Sequence, residues 1–391
     1  MSPVPEIRKS VLFLIDSLDC GGAEKSLLSL LPLLDFSRFD ICLSIIRRGG
    51  VFESYLPPQV RQIKFPKPSL LLDTLSDGLF SFLSRVFKLL GINRHGAELR
   101  WICKRAIIPA FKEHFDIAVA YQQGFPTYYV ANKIPAPHKY AWINADLKNA
   151  GYRPGFNRAY YDRFSQICVV SNALFRLIPA CGYARKEKLI VIKDIINVDL
   201  IRKMALAQPP AGFTDNPNRI RILTVGRMAP PKNYPLAVET AHLLSKRGVR
   251  FIWYFVGDGL SRREIEREIH LLGLQDRIML LGFQANPYPY FQNCDIYVQT
   301  SSFEGFGLTL SEAKVFHKPI VTTNFPSAYD QIQDGVDGLI AKMEPNSLAD
   351  RIMAIINDPS LKERLIGNTT LEVNCTAETE RLKVNHLLMK D

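Results

Sequence analysis

The chain has 391 residues, of which 47% are hydrophobic and 22% charged. This composition excludes an intrinsically disordered chain, and the length exceeds what one hydrophobic core usually reaches, so two domains are expected. The 49 Lys and Arg outnumber the 38 Asp and Glu and leave a net charge of +11. An excess of this sign predicts an anionic partner, which can be a membrane surface, a nucleic acid or a phosphorylated ligand.

The cysteines and the first apolar run indicate the cellular compartment in which the protein is expected. The seven cysteines are scattered, without Cys-x-x-Cys or zinc-type spacing, and are predicted to be buried thiols in a reducing compartment. The run Val11–Ile15 is too short for a signal-peptide core or a membrane span. The expected location is therefore cytoplasmic. The cysteines are Cys20, Cys42, Cys103, Cys168, Cys181, Cys294 and Cys375.

Short apolar runs rich in β-branched and aromatic residues alternate with helical patterns, which is typical of parallel sheets built from βαβ units. Most of the runs lack a period of two, as expected for strands covered on both faces. The predicted strands of the first half are Val11–Ile15, Ile41–Ile46, Ile117–Ala120, Tyr140–Ile143, Ile167–Val170 and Leu189–Ile192; those of the second half are Ile220–Val225, Phe251–Val256, Ile278–Leu281, Asp295–Val298 and Ile320–Thr323.

The loop after the first strand carries Gly21 and Gly22. Glycine permits a close backbone approach, so these residues could meet a ligand at the end of the strand. Tight turns also use glycine, and the pair alone is weak evidence.

A basic, strongly apolar segment follows. Between Arg61 and Glu113 ten Lys and Arg face four Asp and Glu, and Leu70–Leu90 is apolar around more than one helix face. Such a segment suits the interface of an anionic membrane. For a second predicted helix, Ala97–Phe115, a core helix with a solvated basic face is an equal alternative. No nucleic-acid-binding motif accompanies the charge, so nucleic acid is not predicted as a partner.

The domain boundaries follow from the segment between the halves, which is rich in Pro, Gly, Asn and Ala. We predict a first domain over 1–204, a linker over 205–219 and a second domain over 220–375. A helix over 376–391, with Leu382, Val384, Leu387 and Leu388 available for packing, could cross back to the first domain. Two doubly wound domains facing each other would leave a cleft between their strand ends.

The loop after Ile220–Val225 carries Gly226, Arg227 and Lys232. A guanidinium and an ammonium on one loop could bind the same diphosphate. The alternative is two solvated cations on a turn. The next two strands end at Gly257-Asp258 and at Gly282-Phe283, which would lie near a base and ribose, although Phe283 could equally belong to the core.

The segment Glu304-Gly305-Phe306-Gly307-Leu308-Thr309 leads into a predicted helix, Leu308–Phe316, which carries Glu312. Its glycines could let backbone N–H groups approach a ligand, and a helix N-terminus attracts a pyrophosphate. Glu304 could accept hydrogen bonds from sugar hydroxyls and Glu312 from a ribose. Solvated surface carboxylates are the alternative, but ligands of open α/β sheets bind outside the carboxyl ends of such strands.

Taken together, Gly21-Gly22, Gly226-Arg227 with Lys232, Gly257-Asp258-Gly259 and Glu304-x7-Glu312 resemble the family-4 retaining glycosyltransferases of GT-B fold, of the bacterial surface-polysaccharide type. The resemblance covers nearly the whole chain and is specific mainly in the second half. It implies an α/β architecture of two doubly wound Rossmann-like domains. No Asp-x-Asp metal motif stands at a strand end, so we predict neither a metal nor a cofactor.

The resemblance also implies roles for the residues. Arg227 and Lys232 would stabilise the leaving diphosphate, which helps to deprotonate the acceptor hydroxyl. Glu304 would orient the donor sugar, Gly305 to Leu308 would offer backbone N–H groups, and Glu312 would hold the ribose.

Two positions depart from the family pattern. Asn144 stands where relatives often have a histidine facing the sugar; it can bind a hydroxyl but cannot carry a proton. Asp194-Ile195-Ile196-Asn197 stands where many relatives show Asn-Pro-x-Asp.

The sequence thus predicts a membrane-peripheral transferase on the inner face of the cell membrane, acting in lipopolysaccharide or capsule synthesis. It would move a hexose or N-acetylhexosamine from a nucleoside-diphosphate sugar to a sugar hydroxyl of a lipid-linked or polysaccharide acceptor. A UDP-sugar is favoured as the donor over GDP-mannose. The alternatives are a non-catalytic nucleotide-sugar-binding relative and a GT-B-fold sugar-nucleotide epimerase.

Overall fold

The structure is a computed structural model that describes residues 8–19, 21–92, 94–209, 212–213, 218–369 and 372–390. The described residues divide into two units. The first draws on Met1–Ile195 and Thr379–Asp391, and the second on Ile196–Glu378.

The first unit contains a parallel sheet of seven strands in the order β3-β2-β1-β4-β5-β6-β7. Helices link most of the strands, because parallel neighbours need crossover connections. The strands are β1 Lys9–Ile15, β2 Phe39–Ile45, β3 Arg61–Lys64, β4 Ile117–Ala120, β5 His138–Ile143, β6 Gln166–Val169 and β7 Leu189–Val191, and the helices are α1 Gly22–Leu30, α2 Leu70–Leu89, α3 Gly96–Lys104, α4 Phe125–Lys133, α5 Pro154–Tyr161 and α6 Asn172–Ala180.

The second unit contains a parallel sheet of six strands in the order β10-β9-β8-β11-β12-β13. Aromatic and aliphatic side chains of β8, β9 and the flanking helices form its core, with Trp253 and Phe255 fully buried. The strands are β8 Ile220–Val225, β9 Phe251–Val256, β10 Ile278–Gly282, β11 Ile296–Gln299, β12 Ile320–Thr323 and β13 Leu339–Ala341, and the helices are α7 Val198–Ala205, α8 Tyr234–Lys246, α9 Arg262–Leu271, α10 Tyr288–Asn293, α11 Leu308–Val315, α12 Pro345–Asn357, α13 Pro359–Thr369 and α14 Glu372–Met389.

The predicted fold class is confirmed: both units are Rossmann-like parallel sheets, and each predicted strand is present, with ends shifted by one or two residues in several. Two strands, β3 and β13, were not predicted from the sequence. β3 is an edge strand whose side chains are largely exposed, so it shows no apolar run. β13 has only 3 residues, which is too short for a periodic pattern.

Two predicted helices differ from the structure. The predicted helix over Ala97–Phe115 is wrong beyond Lys104, where α3 ends. The chain then turns over residues 105–107, ahead of Pro109, which cannot continue a helix. The Phe111 N–H donates to the Lys133 carbonyl at the end of α4 (3.0 Å). In α14, Val384, Leu387 and Leu388 are buried, but Leu382 is exposed because it lies on the opposite face.

The boundaries between the two units differ from the domain boundaries that we predicted from the sequence. The division lies between Ile195 and Ile196, ahead of the predicted boundary at residue 204, because α7 packs on α10 and the Asn286 side chain donates to the Met204 carbonyl (2.7 Å). From Thr379 onward α14 belongs to the first unit, where Glu380 accepts a bond from the Lys193 N–H (3.0 Å). Much of the predicted linker, 210–211 and 214–217, lies outside the described residues.

The expectation of buried thiols holds in part. Cys42, Cys168 and Cys294 are buried, and Cys103 and Cys181 are partly exposed. Cys20 and the side chain of Cys375 lie outside the described residues.

Candidate active site

The loops at the carboxyl ends of β8, β9 and β10 are tied together by backbone hydrogen bonds. The Gly226 N–H donates to the Val256 carbonyl (2.9 Å), and the Gly257 N–H donates to the Gly282 carbonyl (2.8 Å). The Met228 N–H reaches the Asp258 carbonyl (2.9 Å). This edge of the second sheet is therefore a cross-linked surface.

The glycines of this edge are required by the packing of the chain on itself. Gly257 has φ +143°, and a Cβ there would lie 1.9 Å from the Gly226 carbonyl oxygen. A Cβ at Gly226 would lie 3.0 Å from Cε of Lys232. Gly226 thus leaves room for the lysine side chain to cross the end of β8.

Lys232 and Glu304 form an ion pair at this edge. The ammonium lies 2.5 Å from Glu304 Oε1, and both side chains are mostly buried. Two further donors reach the same oxygen: Gln299 Nε2 (3.0 Å) and the Ser301 hydroxyl (2.7 Å). The Thr300 hydroxyl donates to the Lys232 carbonyl (2.8 Å) and holds the two loops together. Oε1 of Glu304 is therefore an anchored acceptor with three donors.

Arg227, predicted to act with Lys232, is placed differently. Lys232 is committed to Glu304, whereas Arg227 is exposed, and no carboxylate within the described part of the chain pairs with it. Its guanidinium is thus available to an anion in solution.

The segment Gly305–Thr309 enters α11 through Gly307, which has φ +98° and stands at the N-cap. Gln331 Nε2 holds this turn by donating to the carbonyls of Phe306 (2.7 Å) and Gly307 (3.1 Å). The side chains of Phe306 and Leu308 are buried. A ligand can therefore meet this segment through its backbone, and the first N–H groups of α11 have no acceptor within the helix.

Thr309 and Glu312 lie on α11. The Thr309 hydroxyl donates to Gln299 Oε1 (2.8 Å), so Gln299 joins Thr309 to Glu304. Glu312 is 1% exposed, and its Oε1 accepts a hydrogen bond from the Tyr288 hydroxyl (3.1 Å). Glu312 is thus held inside the unit.

The two remaining predicted donor contacts lie at the ends of β9 and β10. Asp258 Oδ1 accepts from the Gly259 N–H (2.7 Å), and Oδ2 lies 3.4 Å from Arg262. Phe283 is 47% exposed, so it does not belong to the core. A planar, exposed ring at a sheet edge can stack on a base.

The first unit holds Gly21, Gly22 and Asn144. The space over Gly21 is filled by the Glu24 carboxylate, since a Cβ there would lie 2.1 Å from Glu24 Oε2, whereas the space over Gly22 is open. Asn144 Nδ2 donates to the Tyr121 carbonyl (2.8 Å). Oδ1 of Asn144 is buried without a partner among the described residues, which leaves an acceptor for a hydroxyl.

The departure at Asp194 and Asn197 has a structural explanation. Asn197 caps α7 by accepting from the Leu200 N–H (3.0 Å). Asp194 is buried and accepts from the Ser26 hydroxyl (2.7 Å), which also bonds the Tyr121 hydroxyl (3.0 Å). Asp194 thus bonds a serine of α1 from inside the unit. Burial raises the pKa of its carboxyl group to about 7.

Sequence reasoning missed the residues that support Glu304. Gln299 and Ser301 are buried polar side chains at the end of an otherwise apolar strand, and that position was a usable signal. Gln331 and Tyr288 carry no such signal, because only tertiary packing brings them to α11. No group of three or more His, Cys, Asp or Glu is gathered for a metal ion within the described ranges, and the metal-free site stays a prediction.

Most of the second unit is similar in sequence to a known protein family. Residues 211–371 match the family described as "Glycosyl transferases group 1". The chain is 28% identical over 160 residues to an alpha-D-kanosaminyltransferase of Streptomyces kanamyceticus, a match that covers 40% of this chain and 41% of that protein. It is 30% identical over 144 residues to the N-acetylgalactosamine-N,N'-diacetylbacillosaminyl-diphospho-undecaprenol 4-alpha-N-acetylgalactosaminyltransferase of Campylobacter jejuni, covering 36% and 39%. The matches thus span about two-fifths of the length of these relatives.

Among solved structures, Anabaena Alr3699/HepE in complex with UDP-glucose is similar over 97% of this chain and 99% of that one, with a TM-score of 0.74 at 18% identity. This identity supports the fold alone. The chain therefore has the GT-B fold of two Rossmann-like units, and its residues 211–371 are similar to the group 1 glycosyl transferases.

Proposed function

We propose that the protein is a retaining glycosyltransferase that moves a hexose or N-acetylhexosamine from a nucleoside-diphosphate sugar to a sugar hydroxyl. The observation that carries the proposal is the Lys232–Glu304 pair at the carboxyl ends of β8 and β11 (2.5 Å). A cation for a diphosphate and a carboxylate for sugar hydroxyls stand together at the sheet edge where open α/β proteins bind ligands.

The pair suggests how a donor would be received. A diphosphate offers Lys232 a stronger partner than the singly charged Glu304, and the donor's hydroxyls can then donate to the carboxylate. Gln299 and Ser301 keep Glu304 Oε1 in place during this exchange. Arg227, exposed on the same loop, supplies a second positive charge to the leaving diphosphate.

The remaining donor contacts are proposals of the same kind. The backbone of Gly305 to Leu308 and the start of α11 would bind sugar and phosphate, with Thr309 beside them. Gly226 leaves room for the Lys232 side chain and Gly257 lets the two loops pack closely. Asp258 and Phe283 would meet ribose and base. Glu312 would contact the ribose from inside the unit, and Asn144 would accept from a sugar hydroxyl.

In the proposed mechanism the acceptor hydroxyl attacks the anomeric carbon from the face that the diphosphate leaves. The departing phosphate oxygen takes the hydroxyl proton, and the configuration is retained. Lys232 and Arg227 stabilise the negative charge that develops on the diphosphate, and no metal is proposed for this role.

The names of similar proteins support a class of donor and a class of acceptor. The Anabaena protein is described in complex with UDP-glucose, which supports a UDP-sugar as donor. The Campylobacter relative is named for a diphospho-undecaprenol acceptor, which supports a lipid-linked or polysaccharide acceptor. A lipid-linked acceptor would place the enzyme on the inner face of the cell membrane.

The test incubates purified protein with UDP-glucose, UDP-galactose, UDP-N-acetylglucosamine or GDP-mannose in EDTA, without acceptor. We expect slow release of nucleoside diphosphate from one donor, with the α-anomer of the free sugar formed first. Conversion of the sugar with the nucleotide retained would indicate an epimerase. Binding without release would indicate a non-catalytic relative, and release of the β-anomer first would contradict retention.

A further inference from the structure

Helix α2 of the first unit carries an apolar stripe that the described chain does not cover. Leu71, Leu75, Leu79, Phe82, Val86 and Leu89 recur at spacings of three or four residues and so lie on one face. Leu71 is 70%, Phe82 63% and Leu89 87% exposed. A helix of 20 residues is about 30 Å long, so this stripe is much larger than a scatter of surface leucines.

The opposite face of α2 packs on α3, which fixes the direction of the stripe. Lys104 of α3 binds Asp73 (2.5 Å) and Asp77 (3.0 Å), and the Arg100 guanidinium lies over the Phe80 ring (5.3 Å). Lys104 offsets part of the negative charge of these two carboxylates, and the Asp77 side chain remains 56% exposed. Both carboxylates lie on the side that faces α3, so the side that carries the stripe is apolar.

Four other cations on or near α2 have no acidic partner among the described residues. Lys64 and Lys67 precede the helix, Arg85 and Lys88 lie on it, and all four are exposed. No carboxylate of the described residues pairs with any of them. Placing a second copy of the chain on the stripe would bring like charges together, whereas an anionic lipid surface complements them.

A pocket of about 350 Å³ lies at the C-terminal end of α2, lined by Ser84, Phe87, Lys88, Ile92, Arg94 and Leu99. The Arg94 guanidinium lies over the Phe87 ring (5.5 Å), and its Nε is buried without a hydrogen-bond partner among the described residues. The pocket thus combines two cations with an apolar wall.

The Glu98 carboxylate, whose charge attracts Arg94, already has hydrogen-bond partners. Glu98 is fully buried and accepts bonds from Arg153 Nε (3.1 Å) and Asn157 Nδ2 (2.7 Å). Burial and, after it, repulsion from Arg153 lower the pKa of Arg94, against the attraction of Glu98. An anion in the pocket would satisfy Nε and relieve this repulsion.

We propose that α2 docks on the surface of an anionic phospholipid bilayer, with the stripe among the acyl chains and one lipid phosphate bound by Arg94 and Lys88. This inference extends the proposed function, for which it names the surface where the acceptor is met. The docking itself requires no turnover and is tested without it.

The first measurement is flotation of the whole protein with vesicles of phosphatidylcholine alone or with added phosphatidylglycerol. We expect binding to the anionic vesicles only, weakened by salt. Absence of binding to both would overturn the proposal. Inorganic phosphate, compared with chloride at equal ionic strength, should not release the protein; specific release by phosphate would mean a free-phosphate pocket and would also overturn it.

Two sets of variants separate the stripe from the pocket. Leu75→Ser with Phe82→Ser should weaken partitioning at least about tenfold, against a matched control of Leu206→Ser with Leu271→Ser, two exposed leucines of the second unit. Arg94→Gln and Lys88→Gln should each weaken it about fivefold, against Lys246→Gln. Equal effects in test and control variants would contradict the assignment.

Two readouts keep the outcomes distinct. If the stripe variant changes a dimer into a monomer by sedimentation velocity, while neither protein binds vesicles, the face is an interface between copies and the proposal fails. Nucleoside diphosphate release in vesicle-free buffer is measured on the same preparations. Vesicle binding without release would support the docking and count against the proposed transferase.

Discussion

Glu304 and the apolar stripe of α2 lie in different units and differ in the partners that the chain supplies. Glu304 receives three donors on one oxygen, from Lys232, Gln299 and Ser301. The stripe leucines meet solvent, although the charged face of the same helix is paired with α3. Preorganised contacts and exposed apolar side chains therefore both indicate function: the first suit the chemistry of a small ligand, and the second suit binding to an extended surface.

The largest expected effect comes from Glu304→Gln. The neutral amide keeps the shape but loses the acceptor strength, and we expect donor turnover to fall about a thousandfold while the free energy of unfolding falls by about 1–3 kcal/mol, because a mostly buried Lys232 loses its counter-charge. Nucleoside diphosphate release and thermal unfolding are measured, with the exposed Glu363→Gln as control. Unchanged turnover would remove Glu304 from the site.

Lys232→Met should have the next largest effect. The variant keeps the side-chain length and removes the charge that stabilises the leaving diphosphate, so kcat should fall about a hundredfold. Lys246→Met, an exposed lysine at the end of α8, is the control. A kcat equal to that of the control would show that Lys232 serves only to pair with Glu304.

Gly257→Ala tests whether the sheet edge is as closely packed as the distances indicate. A Cβ 1.9 Å from the Gly226 oxygen forces the loops apart, and we expect a loss of about 3 kcal/mol in the free energy of unfolding by urea. Gly248→Ala also has positive φ but open space, and should lose about 1 kcal/mol. If both variants lose the same free energy of unfolding, the effect comes from the positive φ alone and not from close packing of the loops.

Asp194→Asn tests a buried polar centre in the unit that carries α2. The pKa of Asp194 is raised from 3.8 to about 7, so the folded chain holds this proton more tightly than the unfolded chain. The protonated Asp194 therefore adds to the free energy of unfolding in full below pH 3.8, and this contribution is lost as the pH rises through about 7. The Tm of the wild type should therefore fall relative to that of the variant over this interval.

The control for this titration is Asp276→Asn, at an exposed aspartate. Its Tm should follow the wild type at every pH. Parallel curves for Asp194→Asn and the wild type would show that Asp194 ionises at its ordinary pKa.

The smallest effect is expected on α2. Leu75→Ala removes an exposed side chain and should change the free energy of unfolding by about 0.5 kcal/mol or less. Leu310→Ala, at a fully buried leucine of α11 beside the site, should cost about 2–5 kcal/mol. A large loss at Leu75 would mean that the chain itself covers the stripe.

The strands and the main loops of the second unit could be predicted because local pattern specifies them. Ile220–Val225, Phe251–Val256 and Ile320–Thr323 are apolar runs bounded by polar or glycine residues, and each forms a strand over those residues. The end of the second basic helix could not be predicted, because it depends on the pairing of Phe111 with Lys133.

By itself the sequence determined the parallel-sheet class, the loops that carry Gly226, Lys232 and Glu304, and the apolar, basic character of α2. These are properties of residues close together in the chain. Three contacts arise only in the folded chain: Lys232 binds Glu304, 72 positions away in the sequence; Gln331 holds the turn before α11; and α3 covers only the charged face of α2. Such contacts depend on how the sheet aligns its strand ends and helices, and that alignment follows from packing the whole core.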